Sequence, residues 1–147
     1  MVKVLIKKLD PEIKLPEYKT DGASGMDLVA FIKESLTIKP RTSSLIPTGI
    51  SVAFSENYEI QIRPRSGLAA KNNISVLNTP GTVDSDYRGE IKIIIYNHGN
   101  NDFIVNNGDR IAQMILAPIM KMELEEAKNL PQTIRVKGGF GSTGKWV

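Results

Sequence analysis

The sequence predicts an all-β sandwich or barrel in a single domain, and three observations carry that prediction. Ile, Val and Thr make up 35 of the 147 residues, and Ile (18) outnumbers Leu (11), a bias toward the pleated, half-buried surface of a sheet. Short runs alternate apolar and polar residues with a period of two. Turn residues interrupt these runs about every 8 to 12 residues, the rhythm of sandwiches and barrels.

The elements follow in order. Val2-Lys3-Val4-Leu5-Ile6 alternates, as do Ile50-Ser51-Val52-Ala53-Phe54 and Tyr58-Glu59-Ile60-Gln61-Ile62. Asp10-Pro11, Asp21-Gly22, Lys39-Pro40, Pro47-Thr48-Gly49 and Pro80-Gly81 punctuate them. Ile91 to Tyr96 is apolar at nearly every position and reads as a strand buried on both faces. Asn97 to Asp102 reads as a hairpin turn into Phe103-Ile104-Val105, and Asn106 to Asp109 as a turn into Ile111 to Ile115. Helix is expected only at Ser66 to Lys71 and Glu123 to Asn129. From Gly138 to Lys145 the chain is too rich in glycine to hold regular structure alone and is expected to be a mobile tail.

Composition narrows the chemistry. A domain of this size buries roughly 68–70% of its unfolded surface, enough for a core without staples. Cysteine is absent, which removes disulfides, thiolate metal sites and cysteine nucleophiles together. The longest apolar run, Met114 to Met120, contains Pro118 and is far short of a membrane span. The amino terminus has no secretory apolar stretch, so a cytoplasmic location is expected. The net charge of +3 is too small to argue for nucleic-acid binding. His98 is the only histidine and sits in an Asn/Gly turn, so histidine-based triads and metal sites are disfavoured and general-base work falls to a carboxylate.

Five polar clusters break the strand pattern. They are Ala23-Ser24-Gly25-Met26-Asp27-Leu28, Pro64-Arg65-Ser66-Gly67-Leu68-Ala69, Asn78 through Glu90, Gly108-Asp109-Arg110-Ile111-Ala112-Gln113, and Arg135 through Gly144. Taken singly, the first and fourth are read as turns, because Asp and Ser bond nearby backbone and Gly supplies positive φ. The third is richer. Asp84, Asp86 and Glu90 put three carboxylates within seven residues, and on an extended strand Asp84 and Asp86 would share a face. Such a pair calls for a cation, a basic partner or a proton, with a plain ion pair to Arg88 as the simplest answer. In the tail, residues 139–145 fit GxxxxGK, but Trp146 follows where a P-loop needs Ser or Thr. What remains is a run of glycine amides able to wrap an anion.

In this order the clusters resemble the five motifs of the trimeric dUTPases. PRSGLA, GTVDSDYRGE, GDRIAQ and GGFGSTG are the specific strings, and together they span nearly the whole chain. One departure is Val136, where the family commonly has glycine after the arginine of the last motif. The resemblance implies a jelly-roll-like distorted β-barrel over residues 1–134 and a flexible glycine-rich arm over 135–147. It implies a homotrimer with sites at subunit interfaces, each capped by a neighbour's arm. It further implies hydrolysis of dUTP to dUMP and pyrophosphate with Mg²⁺ on the triphosphate, and no stable partnership with nucleic acid or membrane. Carried onto this sequence, Asp84 is the general base. Arg65, Ser66 and Gln113 bind the phosphates, and Gly67 beside them is also substrate-binding. Asn78, Gly81 and Val83 read uracil in a hairpin too tight for thymine's methyl. Tyr87 packs against deoxyribose, Phe140 stacks on uracil, and Arg135 with Ser142 and Thr143 holds the γ-phosphate, with Gly141 of the same arm also substrate-binding. Asp27 is structural or acts indirectly on the magnesium. Two rivals differ in class. The related dCTP deaminases share the fold but generally lack the arm, and a catalytically idle binding or regulatory trimer is opposed by the intact Asp84 and arm.

Overall fold

The computed structural model describes residues 1–140, 142 and 144. Eleven strands and one short helix follow one another as β1 (Leu5–Lys8), β2 (Met26–Val29), β3 (Leu36–Ile38), β4 (Ser43–Pro47), β5 (Ile50–Ala53), β6 (Tyr58–Arg63), α1 (Ser66–Asn72), β7 (Ile74–Val76), β8 (Gly81–Val83), β9 (Lys92–Asn97), β10 (Phe103–Val105) and β11 (Arg110–Pro118). The class expected from the sequence is correct. The strands pair antiparallel in four small sheets, ordered β1-β5, β10-β3, β2-β11-β6-β8 and β4-β9-β7. No two consecutive strands pair, so every connection crosses between sheets, as in folded-over Greek-key sandwiches.

The interior explains the isoleucine bias. Of 18 buried apolar residues, eleven are Ile and four are Val, stiff branched side chains that fill the gap between pleated faces. Ile38, Ile46 and Ile95 are fully excluded from solvent.

Three sequence expectations need correction. Along β9, Ile93, Ile95 and Asn97 are buried while Ile94 and Tyr96 are half-buried and Lys92 is exposed, so this strand alternates. Asn97 to Asp102 is not a hairpin, because β9 pairs with β4 and β7 whereas β10 pairs with β3. The buried Asn97 side chain redirects the chain. Its Nδ2 donates to the carbonyls of Ile38 (2.9 Å) and Asn101 (2.8 Å), and its Oδ1 accepts from the Gly99 amide at 2.9 Å. Finally, Glu123 to Asn129 forms no helix. That segment, flanked by Pro118 and Pro131, has no buried face to stabilise one. By contrast α1 forms as expected and ends at Asn73, whose φ of 56° is left-handed.

The strands end at Pro118. Beyond it Met120, Met122, Leu124, Leu130 and Ile134 are each at least 83% exposed. Among the described residues no helix is long and apolar enough to cross a membrane.

Candidate functional site

One half of the site is built on β8 and the turn after it. β8 is an edge strand, paired on one side only with β6 through Ile60–Val83 and Ile62–Gly81. Its outer edge therefore offers unpaired amides and carbonyls. Beside it lies a cavity of about 320 Å³ lined by Ile62, Asn78, Gly81, Val83, Asp84 and Tyr87 among others. Gly81 keeps this corner open: a Cβ would stand in tight contact, 3.2 Å from Asn78 Nδ2 and 3.2 Å from Ile62 Cβ. Tyr87 is 47% exposed, and its hydroxyl donates to the Glu90 carbonyl at 3.0 Å. Glu90 is in turn fixed by its side chain, which accepts from the Gly49 amide at 2.9 Å.

Asp84 and Asp86 do not lie on an extended strand. The Tyr87 amide donates to the Asp84 carbonyl at 3.1 Å, closing a turn. Both carboxylates nevertheless line a second, larger cleft of about 600 Å³ with Glu56, Glu59 and Lys121. Asp84 alone borders both cavities. Arg88 does not neutralise either: its Nη1 donates to the carbonyls of Ser85 (2.7 Å) and Tyr87 (3.2 Å). Among the described residues no ion pair engages Asp84 or Asp86.

The other half collects guanidinium and amide groups around β2 and β11. Gln113 stands opposite both Asp27 of β2 and Arg63 of β6. A bulge in β11 between Arg110 and Ala112 then sets Arg110 opposite Val29. Asp27 and Val29 share a face, so the bulge brings Arg110 and Gln113, three residues apart, to the same side. Asp27 accepts from Arg65 Nε at 2.8 Å through Oδ1 and from Arg110 Nη1 at 3.2 Å through Oδ2. Arg65 also reaches the Arg110 carbonyl at 3.3 Å. Gln113 Nε2 donates to the Pro64 carbonyl at 2.9 Å. Gly25 makes room for that amide, since a Cβ would sit 2.8 Å from Gln113 Oε1. Ser66 and Gly67 are exposed beside Arg65, with open space over Gly67.

Neither cavity that Asp84 borders is lined by Asp27, Arg65, Arg110 or Gln113. Strand spacing and rise along the Val83–Ile60 and Arg63–Gln113 pairings put Val83 and Gln113 on the order of 14 Å apart. The third group of expected residues lies elsewhere again. Arg135 Nε donates to the Gly138 carbonyl at 2.7 Å, Ser142 donates its amide to Gly139 at 2.9 Å, and Phe140 is fully exposed. Gly141 and Thr143 lie outside the described residues. Val136 has a φ of 48°, left-handed backbone that a β-branched residue rarely adopts.

Sequence reading missed Arg110 as a partner of Asp27, 83 residues away, and Arg63 beside Gln113. Only the pairing of β2 with β11 and β6 shows that these side chains meet. It also missed the spatial role of Gly25, which no local signal distinguishes from a turn glycine.

Among the described residues no three His, Cys, Asp or Glu side chains cluster as a metal cage, and both oxygens of Asp27 already face guanidinium groups.

The fold is thus a crossed antiparallel all-β sandwich bearing a small pocket beside β8 and a separate guanidinium cluster around β2 and β11. Comparison with known proteins gives the family: the dUTPase family model matches residues 11–144, and the chain belongs to that family. It is 52% identical over 148 residues to the deoxyuridine 5'-triphosphate nucleotidohydrolase of Rickettsia bellii (strain OSU 85-389), covering 100% of this chain and 99% of that one. Against the Clostridium tetani protein of the same name the identity is 56% over 140 residues, 95% of each chain. The fold matches that of the Staphylococcus bacteriophage 80alpha dUTPase with dUpNHpp at a TM-score of 0.85 and 24% identity, covering 97% of this chain and 98% of that one. A dUTPase of phage phi11 with a structural Mg(II) ion matches at 0.79 and 20% identity, covering 88% and 99%.

Proposed function

We propose that this chain hydrolyses dUTP to dUMP and pyrophosphate, in a homotrimer whose sites are each assembled from more than one subunit. The observation that carries the assembly is the separation of the two halves. Neither cavity that Asp84 borders is lined by Arg65 or Gln113, yet a base and the donors that hold one triphosphate must meet at the same phosphorus. The half that reads the nucleoside comes from one subunit and the half that holds phosphate from its neighbour. The exposed apolar side chains from Met120 to Ile134 are the sort of surface that a partner covers.

In this reading the outer edge of β8 and the Asn78 amide meet the acceptor–donor–acceptor edge of uracil, a pattern that cytosine does not match. The narrow cavity beside Gly81 rejects the methyl of thymine. Tyr87 forms a wall against the sugar. Arg65, Ser66, Gly67 and Gln113 hold the phosphates, with Asp27 fixing the Arg65 guanidinium. Mg²⁺ would be held by the substrate's own phosphates, with Asp27 acting on it at most indirectly, and would offset part of their charge. Asp84, bordering both cavities and unpaired, orients a water for in-line attack on the α-phosphorus and takes its proton. The arm from Arg135 to Thr143 uncurls to bring Phe140 over uracil and Arg135 with Ser142 and Thr143 to the γ-phosphate. The reaction removes dUTP before it can enter DNA and supplies dUMP for thymidylate synthesis, in the cytoplasm.

Pyrophosphate release from dUTP, dCTP, dTTP and UTP, measured side by side, tests the substrate: dUTP is expected to lead by at least a hundredfold, and equal rates would overturn the assignment. Mixing Asp84→Asn chains with Arg65→Ala chains tests the assembly. Both parents are nearly inactive, and hybrid trimers are expected to regain activity because some sites combine an intact Asp84 with a neighbour's intact Arg65. Inactive hybrids, with subunit exchange shown by mass spectrometry, would place both halves in one chain.

A further inference from the structure

Gly89 lies at a bend two residues after Tyr87. Its φ is outside the left-handed region that Gly49 (70°) and Gly108 (83°) occupy, so backbone freedom does not call for glycine there. Space does. A Cβ on Gly89 would overlap Oη and Cζ of Tyr87 and come within 2.8 Å of its Cε2. The phenol ring lies directly across the Gly89 backbone. Nothing like this holds at Gly22 or Gly67, where a Cβ would meet no atom within 4 Å.

The ring is held from both ends of the segment. Its hydroxyl donates to the Glu90 carbonyl at 3.0 Å, and Glu90 is tied through its own carboxylate to the Gly49 amide at 2.9 Å. Those bonds fix the tip of the ring. The same hydroxyl end of the ring rests where a side chain at 89 would be, and a rigid aromatic cannot yield to a Cβ by bending, only by swinging about χ1 and χ2. Swinging moves the ring relative to Asn78, Gly81 and Val83, which line the same cavity.

We infer that Gly89 is a specificity-positioning residue: its missing side chain is the floor on which Tyr87 lies, and that placement sets the sugar discrimination of the pocket. This rests on the reading of Tyr87 as the wall against deoxyribose. With the floor empty the ring sits low and flat enough to admit a 2′-deoxy carbon, while a 2′-hydroxyl meets an apolar ring face with no hydrogen-bond partner. A residue at 89 lifts the ring, spoils the fit to deoxyribose and opens room that a ribose can use.

The test measures kcat/KM for dUTP and UTP in wild type, Gly89→Ala, Tyr87→Ala and the double variant, with Mg²⁺ saturating. Gly89→Ala is expected to narrow the dUTP/UTP ratio at least tenfold, about as far as Tyr87→Ala does, and the double variant to narrow it no further than twofold beyond either. A purely structural effect of Gly89 would multiply with that of Tyr87 instead, and that result overturns the inference. Ring-labelled tyrosine NMR provides a readout independent of turnover, the Tyr87 signal being assigned among the four tyrosines by its loss in Tyr87→Ala. Gly89→Ala is expected to shift it; an unmoved signal, or a ratio kept within twofold of wild type, overturns the inference. If Tyr87→Ala itself leaves the ratio unchanged, the reading of Tyr87 fails, and that variant alone reveals it. Should Gly89→Ala not fold, Tyr87→Phe decides: a ring supported by the floor keeps the ratio within threefold without its hydroxyl, whereas a fall equal to that of Tyr87→Ala means the hydroxyl, not Gly89, holds the ring.

Discussion

The two halves of the site solve recognition by opposite means. Around β8 the working parts are an unpaired backbone edge and spaces left by glycines, at Gly81 beneath Asn78 and at Gly89 beneath Tyr87. Around β2 and β11 they are charged and amide side chains that brace one another, Asp27 between Arg65 and Arg110, Gln113 against Pro64. A pocket defined by shape distinguishes one nucleoside from another. A braced guanidinium cluster recognises what every nucleoside triphosphate carries. Damage to the first should change ratios between substrates, and damage to the second should weaken all of them alike, more so at high salt.

Asp84, in the turn after β8 and on the border of two cavities, gives the largest expected effect. Asp84→Asn is expected to lower kcat by 10²–10⁴-fold, the usual contribution of a positioned base, while KM for dUTP stays within threefold. Pyrophosphate release together with direct binding of Mg-dUTP checks both parts. A kcat within tenfold of wild type would remove Asp84 from the chemistry.

Next comes Asp27→Asn. Losing the charge between two guanidinium groups leaves Arg65, 26% exposed, less well aimed, and KM is expected to rise about tenfold, equivalent to about 1.4 kcal/mol. The rise should be the same for dUTP and UTP. Titrating Mg²⁺ sharpens the point: an unchanged half-saturation assigns Asp27 to the arginines, and a shifted one restores the indirect role on the metal implied by family resemblance.

How much of this was legible in the sequence depended on distance along the chain. Alternation at 58–62 marked β6, and Ser66 to Lys71 marked α1 almost to its end, because both signals are local. Strand partners were not legible. Asn97-His98-Gly99 has the composition of a hairpin, and only the carbonyls of Ile38 and Asn101 around the buried Asn97 amide reveal a crossover. The helix expected at 123–129 failed for the converse reason, since propensity without a face to bury does not hold a helix. Site residues were read from motif strings, yet the strings could not say that Asp27 and Arg110 pair, or that Gly89 is small for the sake of Tyr87 while Gly108 is small for its φ of 83°. Val136 was legible as a departure; its φ of 48° adds that the position itself favours glycine's freedom.

A matched pair of glycines puts the comparison itself at risk. Gly25 and Gly81 each leave room for an amide side chain, one in each half. A Cβ at Gly25 would press on Gln113 Oε1 at 2.8 Å and on the Met114 carbonyl at 3.2 Å, the second of which is backbone and cannot turn aside. Gln113 must therefore move and surrender its bond to Pro64, and Gly25→Ala is expected to raise KM about fivefold, roughly 1 kcal/mol, for dUTP and dCTP equally. A Cβ at Gly81 meets Asn78 Nδ2 and Ile62 Cβ, each at 3.2 Å, and the Asn78 amide, a side-chain end, can turn aside by a few tenths of an ångström. Gly81→Ala should thus cost less, about two- to threefold in kcat/KM for dUTP, yet it should narrow the dUTP/dCTP ratio because the displaced amide is the one that reads the base. The same assay on both variants decides the matter. A changed ratio in Gly25→Ala, or a uniform loss in Gly81→Ala, would mean that the two halves do not divide affinity from selectivity and that the split between shape and charge is only geometric.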